Sequence, residues 1–230
     1  MTEIRDSQLL DNPAWAALTG LQVGLGEGGA LARRFLPEVS PFAGVGNFEP
    51  ESLSALGSLL GQGECALLIC QQPLPTVDIA ASYLFDVLQM VDATAAAGEA
   101  DVEASPLSAA DAGDMLALAE QTKPGPFGPR TGDMGSYIGI RRDGLLVAMA
   151  GERLRFGNFV EISGVCVAPA LRGQGVASRL INRLRRDIRQ RGGVPFLHVR
   201  SDAPATARLY EGLGFAARAT FKLYSARRAS

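Results

Sequence analysis

The sequence predicts an α/β protein with a mixed sheet, and three stretches predict it. From Phe159 to Val167 runs an apolar, β-branched segment that Pro169 stops and that restarts as a helix whose first turn is Arg172 to Ala177. Before it, Ser136 to Ile140 and Leu145 to Gly151 read as two strands joined by Arg142-Asp143-Gly144, a compact hairpin turn. After it, the strand Pro195 to Arg200, a helix from Asp202 to Leu213 and a closing strand at Thr220 to Tyr224 follow in turn.

The chain has 230 residues, enough for one large domain or two small ones, and 47% of them are hydrophobic, ample for a buried core. A net charge of −2 supplies no global basic field to recruit nucleic acid or an acidic membrane. Cys65, Cys70, Cys166 and the single His198 offer no repeated ligand spacing for a metal, and an odd cysteine count gives no disulfide framework. The thiols read as small apolar groups in a reducing compartment, and neither a signal peptide nor a run of ~18 apolar residues is present. A soluble cytoplasmic protein is expected, binding neither nucleic acid nor membrane.

Residues 1–95 mix helical and strand-like pieces. Leu31 to Leu36 reads as the end of a helix before Pro37, Glu51 to Leu60 as a helix opened by Pro50, and Cys65 to Cys70 and Tyr83 to Val91 as strands. Gly24 to Gly29 satisfies GxGxxG literally, yet Trp15 to Val23 is a poor buried strand, so the run reads as a glycine-rich loop rather than a dinucleotide fingerprint. Residues 93–104 are small and acidic, a linker by composition. The division expected is an N-terminal α/β region at 1–95, a linker at 96–104 and a second domain at 105–230.

From 105 the pattern sharpens. Ser108 is placed to cap a helix from Ala109 to Gln121, and Thr122 to Thr131 is too rich in Pro and Gly for helix or strand, with Phe127 either meeting a ligand or packing under its own loop. The helix from Gly173 to about Arg191 turns Val176, Leu180, Ile181, Leu184 and Ile188 to one face and Arg179, Arg183, Arg185, Arg186 and Arg189 to a solvated one. His198 reads as a packed strand residue. Its neighbour Glu161 should share a face with Ser163, Val165 and Val167 by period-two alternation, its carboxylate at a cleft or at a solvated edge.

The start of the long helix carries the chemistry. The first amides of a helix lack intrahelical acceptors and sit at the positive end of its dipole, so they favour an anion such as a diphosphate. Gly173 and Gly175 remove the Cβ atoms that would hold a phosphate away, and Arg172 adds a cation at the rim.

Arg172-Gly173-Gln174-Gly175-Val176-Ala177 fits the Gln/Arg-x-x-Gly-x-Gly/Ala pattern of the GNAT superfamily of acyl-CoA-dependent N-acetyltransferases. Ala207 to Phe215 (ARLYEGLGF) resembles that family's second signature, and a helix and a strand separate the two, as in the family. The resemblance covers about residues 105–230, and EISGVCVAP with TKPGPFGPRT looks most like the subgroup related to glycine N-acyltransferases. It implies the GNAT fold for that part, with the N-terminal region a diverged half-copy by its own strand and helix alternation. It also implies acetyl-CoA as acyl donor and direct transfer to a small-molecule or peptide amine, in a monomer or homodimer.

The same resemblance assigns roles. The pantetheine arm would lie where the central strand and the next one part, paired with the backbone of Val165, Cys166 and Val167, while Arg172, Gly173, Gln174, Gly175, Val176, Ala177 and Ser178 hold the diphosphate. Tyr210 would donate to the departing sulfur, and Glu161 would take a proton from the acceptor ammonium, directly or through water. At Ala203 the family usually has an asparagine that contacts the pantetheine, so that contact is missing. Two rival classes remain: a non-catalytic acetyl-CoA sensor, and a dinucleotide-dependent oxidoreductase using Gly24 to Gly29.

Overall fold

A computed structural model describes residues 7–75, 79–94, 98–100 and 103–229. The N-terminal part opens with α1 (Pro13–Thr19), a small sheet of β1 (Gly26–Gly28), β2 (Ala32–Phe35) and β3 (Ala43–Val45), then α2 (Pro50–Leu59), β4 (Ala66–Cys70) and β5 (Ile79–Asp92). There follow β6 (Ser105–Leu107), α3 (Ala112–Thr122), β7 (Tyr137–Arg142), β8 (Leu145–Phe156), β9 (Phe159–Val167), α4 (Val176–Gln190), β10 (Val194–Arg200), α5 (Pro204–Gly212) and β11 (Phe215–Arg228). Part of the stretch expected to be a linker, 95–97 and 101–102, lies outside the described residues.

The large sheet runs β4-β11-β5-β10-β9-β8-β7-β6. Every pairing in it is antiparallel except β9 with β10. β5, from the N-terminal part, lies between β11 and β10, in the interior of a sheet whose remaining strands, β4 excepted, come from 105–228. The β7–β8 hairpin turns at Asp143 (φ +51) and Gly144 (φ +81), the left-handed pair that a two-residue turn needs.

α4 covers one face of the sheet. Its stripe of Val176, Leu180, Ile181, Leu184 and Ile188 is buried against Ile138, Ile140, Ala148, Ile162 and Leu197, and each large side chain removed from water there contributes about 1.5–3 kcal/mol. On the opposite face α3 packs Met115, Leu118 and Ala119 over Tyr137, Met149 and Cys166. The N-terminal part adds a cluster containing Phe35, Phe42, Phe156, Phe196 and Phe221.

Three local expectations change. Leu31 to Leu36 does not end a helix: Ala32–Phe35 is a strand, because Gly28 (φ +122) turns the chain into a hairpin with Gly26–Gly28 and too few residues remain for a helical nucleus. Gly24 to Gly29 therefore leads into a strand and offers no helix start to a dinucleotide. Arg185 is not solvated: it is fully buried, with Nε and Nη2 on Asp92 at 3.1 and 2.7 Å and Nη1 on Asn182 at 2.9 Å, which ties α4 to the end of β5. Asp202 does not cap α5, because its carboxylate is taken by Arg200 at 2.8 and 2.5 Å.

Gln22, just past α1, fastens the N-terminal part to the sheet. Its side chain is buried, donates to the carbonyls of Met134 (2.8 Å) and Arg153 (2.7 Å), and accepts from the Arg155 amide (3.2 Å). Gln22→Leu keeps the volume but strands buried backbone groups, so it should cost roughly 2–4 kcal/mol. Urea unfolding at neutral pH measures this, and a loss below about 0.5 kcal/mol would show that Gln22 is no fastener.

Candidate active site

The site exists because β9 has two neighbours it cannot follow at once. β10 pairs with β9 only at Val194–Phe159, Pro195–Val160 and Phe196–Glu161, and then stays with β5 as far as Arg200–Val87. Gly164 (φ +60) marks a bulge, where β9 carries one residue more than β8 between the pairs Met149–Cys166 and Gly151–Ser163. Beyond Glu161 the two parallel strands part, and the backbone of Ile162 to Val167 on that side has no strand partner among the described residues.

The bulge also reverses the alternation of side chains. Glu161, Ser163, Val165 and Val167 do not share a face as the period of two predicts. Val165 and Val167 turn to the α4 side with Val160 and Ile162, while Cys166 joins the α3 cluster. Cys166 is 1% exposed and burial pushes its thiol up to about 11, so it can offer the cleft its backbone and no thiolate.

On the α4 side the cleft is a groove of about 240 Å³ lined by Val165, Val167, Arg172, Ala177 and Tyr210. Its outer end is the turn that precedes α4. α4 itself begins at Val176, three residues later than the pattern predicts, because Gly173 (φ +75) and Gly175 (φ +72) are left-handed and Gly175 is the cap. Among the described residues the amides of Gly173, Gln174, Gly175, Val176, Ala177 and Ser178 find no backbone acceptor in good geometry, and the first that does is Arg179, to the Gly175 carbonyl at 3.1 Å. Val176 is buried in the core, so its contribution to this turn is its amide alone. Arg172 is anchored by Nε on the Val167 carbonyl (3.3 Å) and Arg179 by Nη1 on that of Gln174 (3.0 Å), two cations beside a row of free amides.

On the opposite side lies a second cavity of about 350 Å³. Phe42, Phe85, Lys123, Arg153, Ser163, His198, Arg200 and Ala203 are among its walls, and no acidic side chain lines it among the described residues. Tyr210 and Thr206 line both this cavity and the groove, so the two spaces meet at Tyr210. The Tyr210 ring packs edge-on against Phe215, 6.1 Å between centroids, and burial raises its phenol, which keeps the proton in place.

Glu161 is fully buried and does not face the cavity. Arg153 grips it with Nε (2.9 Å) and Nη2 (2.6 Å), and His198 Nδ1 lies at 2.8 Å. Burial pushes this carboxyl up, but the charge of Arg153 and the hydrogen bonds from Arg153 and His198 outweigh it and hold it well below the usual carboxylate range. A carboxylate so held is a poor proton acceptor, which removes Glu161 from the role of base. It orients Arg153, whose guanidinium packs on Phe42 (4.9 Å) and whose Nη1 has no hydrogen-bond partner among the described residues.

His198 is a packed strand residue as expected, and its neighbours fix its tautomer. Arg218 donates to Gln89 Oε1 (2.9 Å), so the Gln89 amide nitrogen donates to the Leu10 carbonyl (2.9 Å) and to His198 Nε2 (3.2 Å), and Nδ1–H donates to Glu161. Sequence reading gives Arg153 only as one of the charges, with Glu152 and Arg155, that point from the second strand toward an edge or cleft, and it gives Gln89 no role, since Gln89 alternates with apolar neighbours like any surface residue.

The family model described as FR47-like protein matches residues 137–224. The N-alpha-acetyltransferase RimI of Mycobacterium tuberculosis (strain ATCC 25618 / H37Rv) is 43% identical over 82 residues, 34% of this chain and 51% of that protein, so the match spans about half the curated relative's length. A solved structure described as a putative acetyltransferase from the GNAT family of Novosphingobium aromaticivorans is 35% identical, with a TM-score of 0.88, over 96% of this chain and 99% of that one. The GCN5-related N-acetyltransferase from Kribbella flavida shares the fold, at 18% identity and a TM-score of 0.61 over 92% and 93% of the two chains.

The Glu161 ion pair has a pH signature. An unfolded glutamate titrates near ~4.3, and the folded carboxyl titrates lower, so the pair's stabilisation is complete above about pH 5 and is lost as the pH falls. Glu161→Gln leaves Arg153 buried without its partner and should cost about 3 kcal/mol or more at pH 7. Urea titrations should find the gap between wild type and variant shrinking toward pH 3, whereas a gap independent of pH would contradict the assigned ion pair.

Proposed function

The chain belongs to the GNAT family of acetyltransferases, and from that premise we propose that it transfers the acetyl group of acetyl-CoA directly to an amine. The observation that carries this reading is the position of Tyr210, common wall of the groove that ends at the free amides and of the cation-lined cavity. The residues fit the donor. The turn from Arg172 to Ser178 offers a diphosphate six amides and the Arg172 guanidinium, and the unpaired edge of β9 at Val165, Cys166 and Val167 offers a pantetheine arm a strand to pair with.

The neutral acceptor nitrogen attacks the thioester carbon, the C–S bond breaks, Tyr210 gives its proton to the departing thiolate, and the proton shed by the new amide nitrogen restores the Tyr210 phenol through water. A β9 amide donates to the oxygen as negative charge develops. No carboxylate base is required. Arg153 and Arg200 on the cavity wall are already paired with Glu161 and Asp202, so Lys123 is the cation that disfavours an ammonium there and helps release its proton to water.

The same wall supports an acceptor that carries an anionic group of its own, opposite Arg153 Nη1, because that group offsets the repulsion between the cavity and an incoming amine. An α-amine next to a carboxylate fits this chemistry. It agrees with the likeness of EISGVCVAP and TKPGPFGPRT to the glycine N-acyltransferase subgroup, and the RimI relative points to an α-amine by its own description. Small molecule or peptide, the acceptor meets Phe42, Ile69 and Phe85, which gives residues 1–95 a part in its selection, as a diverged half-copy packed on residues 105–230. We place the protein in the cytoplasm, as a monomer or homodimer, with its three cysteines free; no helix among the described residues is long and apolar enough to cross a membrane.

A sensor that binds acetyl-CoA without turnover is the second reading, favoured by Ala203, which stands at the α5 cap with no side chain to hold the pantetheine. Thiol release with a panel of amines separates the two. Tyr210→Phe should lower kcat about 100-fold while acetyl-CoA affinity by calorimetry stays within about twofold of wild type. Unchanged kcat would remove Tyr210 from the proton transfer, and absence of thiol release with every amine would favour the sensor.

A further inference from the structure

Beside the bulge, on the α3 face of the sheet, lies a cavity of about 360 Å³ that neither the groove nor the cation-lined cavity includes. Its volume falls in the range of small-molecule pockets, about 300–1,000 Å³. Leu107, Ala112, Met115, Phe127 and Tyr137 make it apolar, and its two charged lining residues, Arg130 and Asp133, pair with each other at 2.8 Å.

Two of these walls also reach the bulge. The Tyr137 hydroxyl comes within 3.2 Å, and the Phe127 ring within 3.5 Å, of the point where a Cβ on Gly164 would sit. The two rings meet edge to face, 5.8 Å between centroids, and form a partition between Gly164 and the cavity. Tyr137 is 3% exposed, and its hydroxyl is buried with no hydrogen-bond partner among the described residues. A buried hydroxyl left alone is costly, so this one is a donor in want of an acceptor oxygen.

Resting on the acyltransferase reading, we propose that this cavity is an acyl-chain subsite and that the protein uses straight-chain acyl thioesters longer than acetyl. The thioester oxygen accepts from the Tyr137 hydroxyl, and the chain passes the turned Phe127 ring into the space between Leu107, Ala112 and Met115. The reaction is otherwise unchanged: the N–C bond forms, the C–S bond breaks, the amine's proton goes to water and the thiolate is protonated by Tyr210.

Calorimetry with coenzyme A, acetyl-CoA and hexanoyl-CoA, together with thiol-release kinetics, tests this on the full chain. Hexanoyl-CoA should bind about tenfold tighter than acetyl-CoA. Ala112→Phe, which fills the cavity from the first turn of α3, should abolish that preference and lower the hexanoyl to acetyl ratio of kcat/KM about tenfold. Phe127→Ala, a change in a surface loop, should raise the ratio. The proposal is overturned if hexanoyl-CoA binds no tighter than acetyl-CoA, or if both variants keep the wild-type ratio. Turnover of acetyl-CoA with neither tighter binding nor turnover of hexanoyl-CoA sinks the subsite and leaves the acyltransferase reading standing. If coenzyme A binds but no thioester is turned over, the acyltransferase reading fails and the calorimetric comparison still decides the subsite. Failure to bind coenzyme A at all removes both.

Discussion

One backbone position, Gly164, governs this molecule. Its left-handed conformation inserts a residue into β9, lets β10 leave with β5, and opens the middle of a continuous sheet, where hydrogen-bonding groups are ordinarily paired. Two spaces and a passage follow from that opening. With the bulge absent, Val165 and Val167 would face α3 instead of α4, and the groove from Arg172 to Tyr210 would lose its floor.

A sheet opened in this way needs fastening elsewhere. Asp92 and Arg185, both fully buried, hold α4 to the end of β5 on one face. Gln22 and Gln89 hold the N-terminal part to β8 and β10 on the other. The Arg153–Glu161–His198 cluster lies between them, where the parallel pairing ends. It fixes Arg153 at the cavity wall by satisfying one side of the guanidinium, and Nη1 on the other side has no partner among the described residues. A buried ion pair contributes little net stability, so its value here is geometric.

Much of the fold was legible in residues 105–230 because several elements there satisfy a local rule: an apolar, β-branched run in β9, Asp143-Gly144 at the hairpin, a stripe of apolar residues on α4, Pro204 in the first turn of α5. The turn before α4 was legible for the same reason, since its six amides without a described backbone acceptor are consecutive. Side-chain direction across Gly164 was not, because period-two counting assumes a strand without a bulge, and a positive φ is invisible when the residue is a glycine among other glycines. Arg185 and Glu161 were misjudged for a different reason. A charge is buried only where a partner of opposite sign waits, and Asp92 lies 93 positions from Arg185 in the chain.

The acceptor side was the least legible part because two distant segments build it. Phe42, Ile69 and Phe85 come from the N-terminal part, and Arg153, Ser163 and His198 from the central strands. They meet only once β5 has entered the sheet between β10 and β11. The amide turn and Tyr210, by contrast, need nothing before residue 105 in their own walls. On the proposed reading, donor and acceptor binding therefore depend on different parts of the chain. A change in β5 or its flanks would then act on which amine is accepted, through the cation-lined wall, while the grip on the diphosphate would be set at the start of α4. Such a separation would let one scaffold keep a fixed donor site while its acceptor cavity is reshaped.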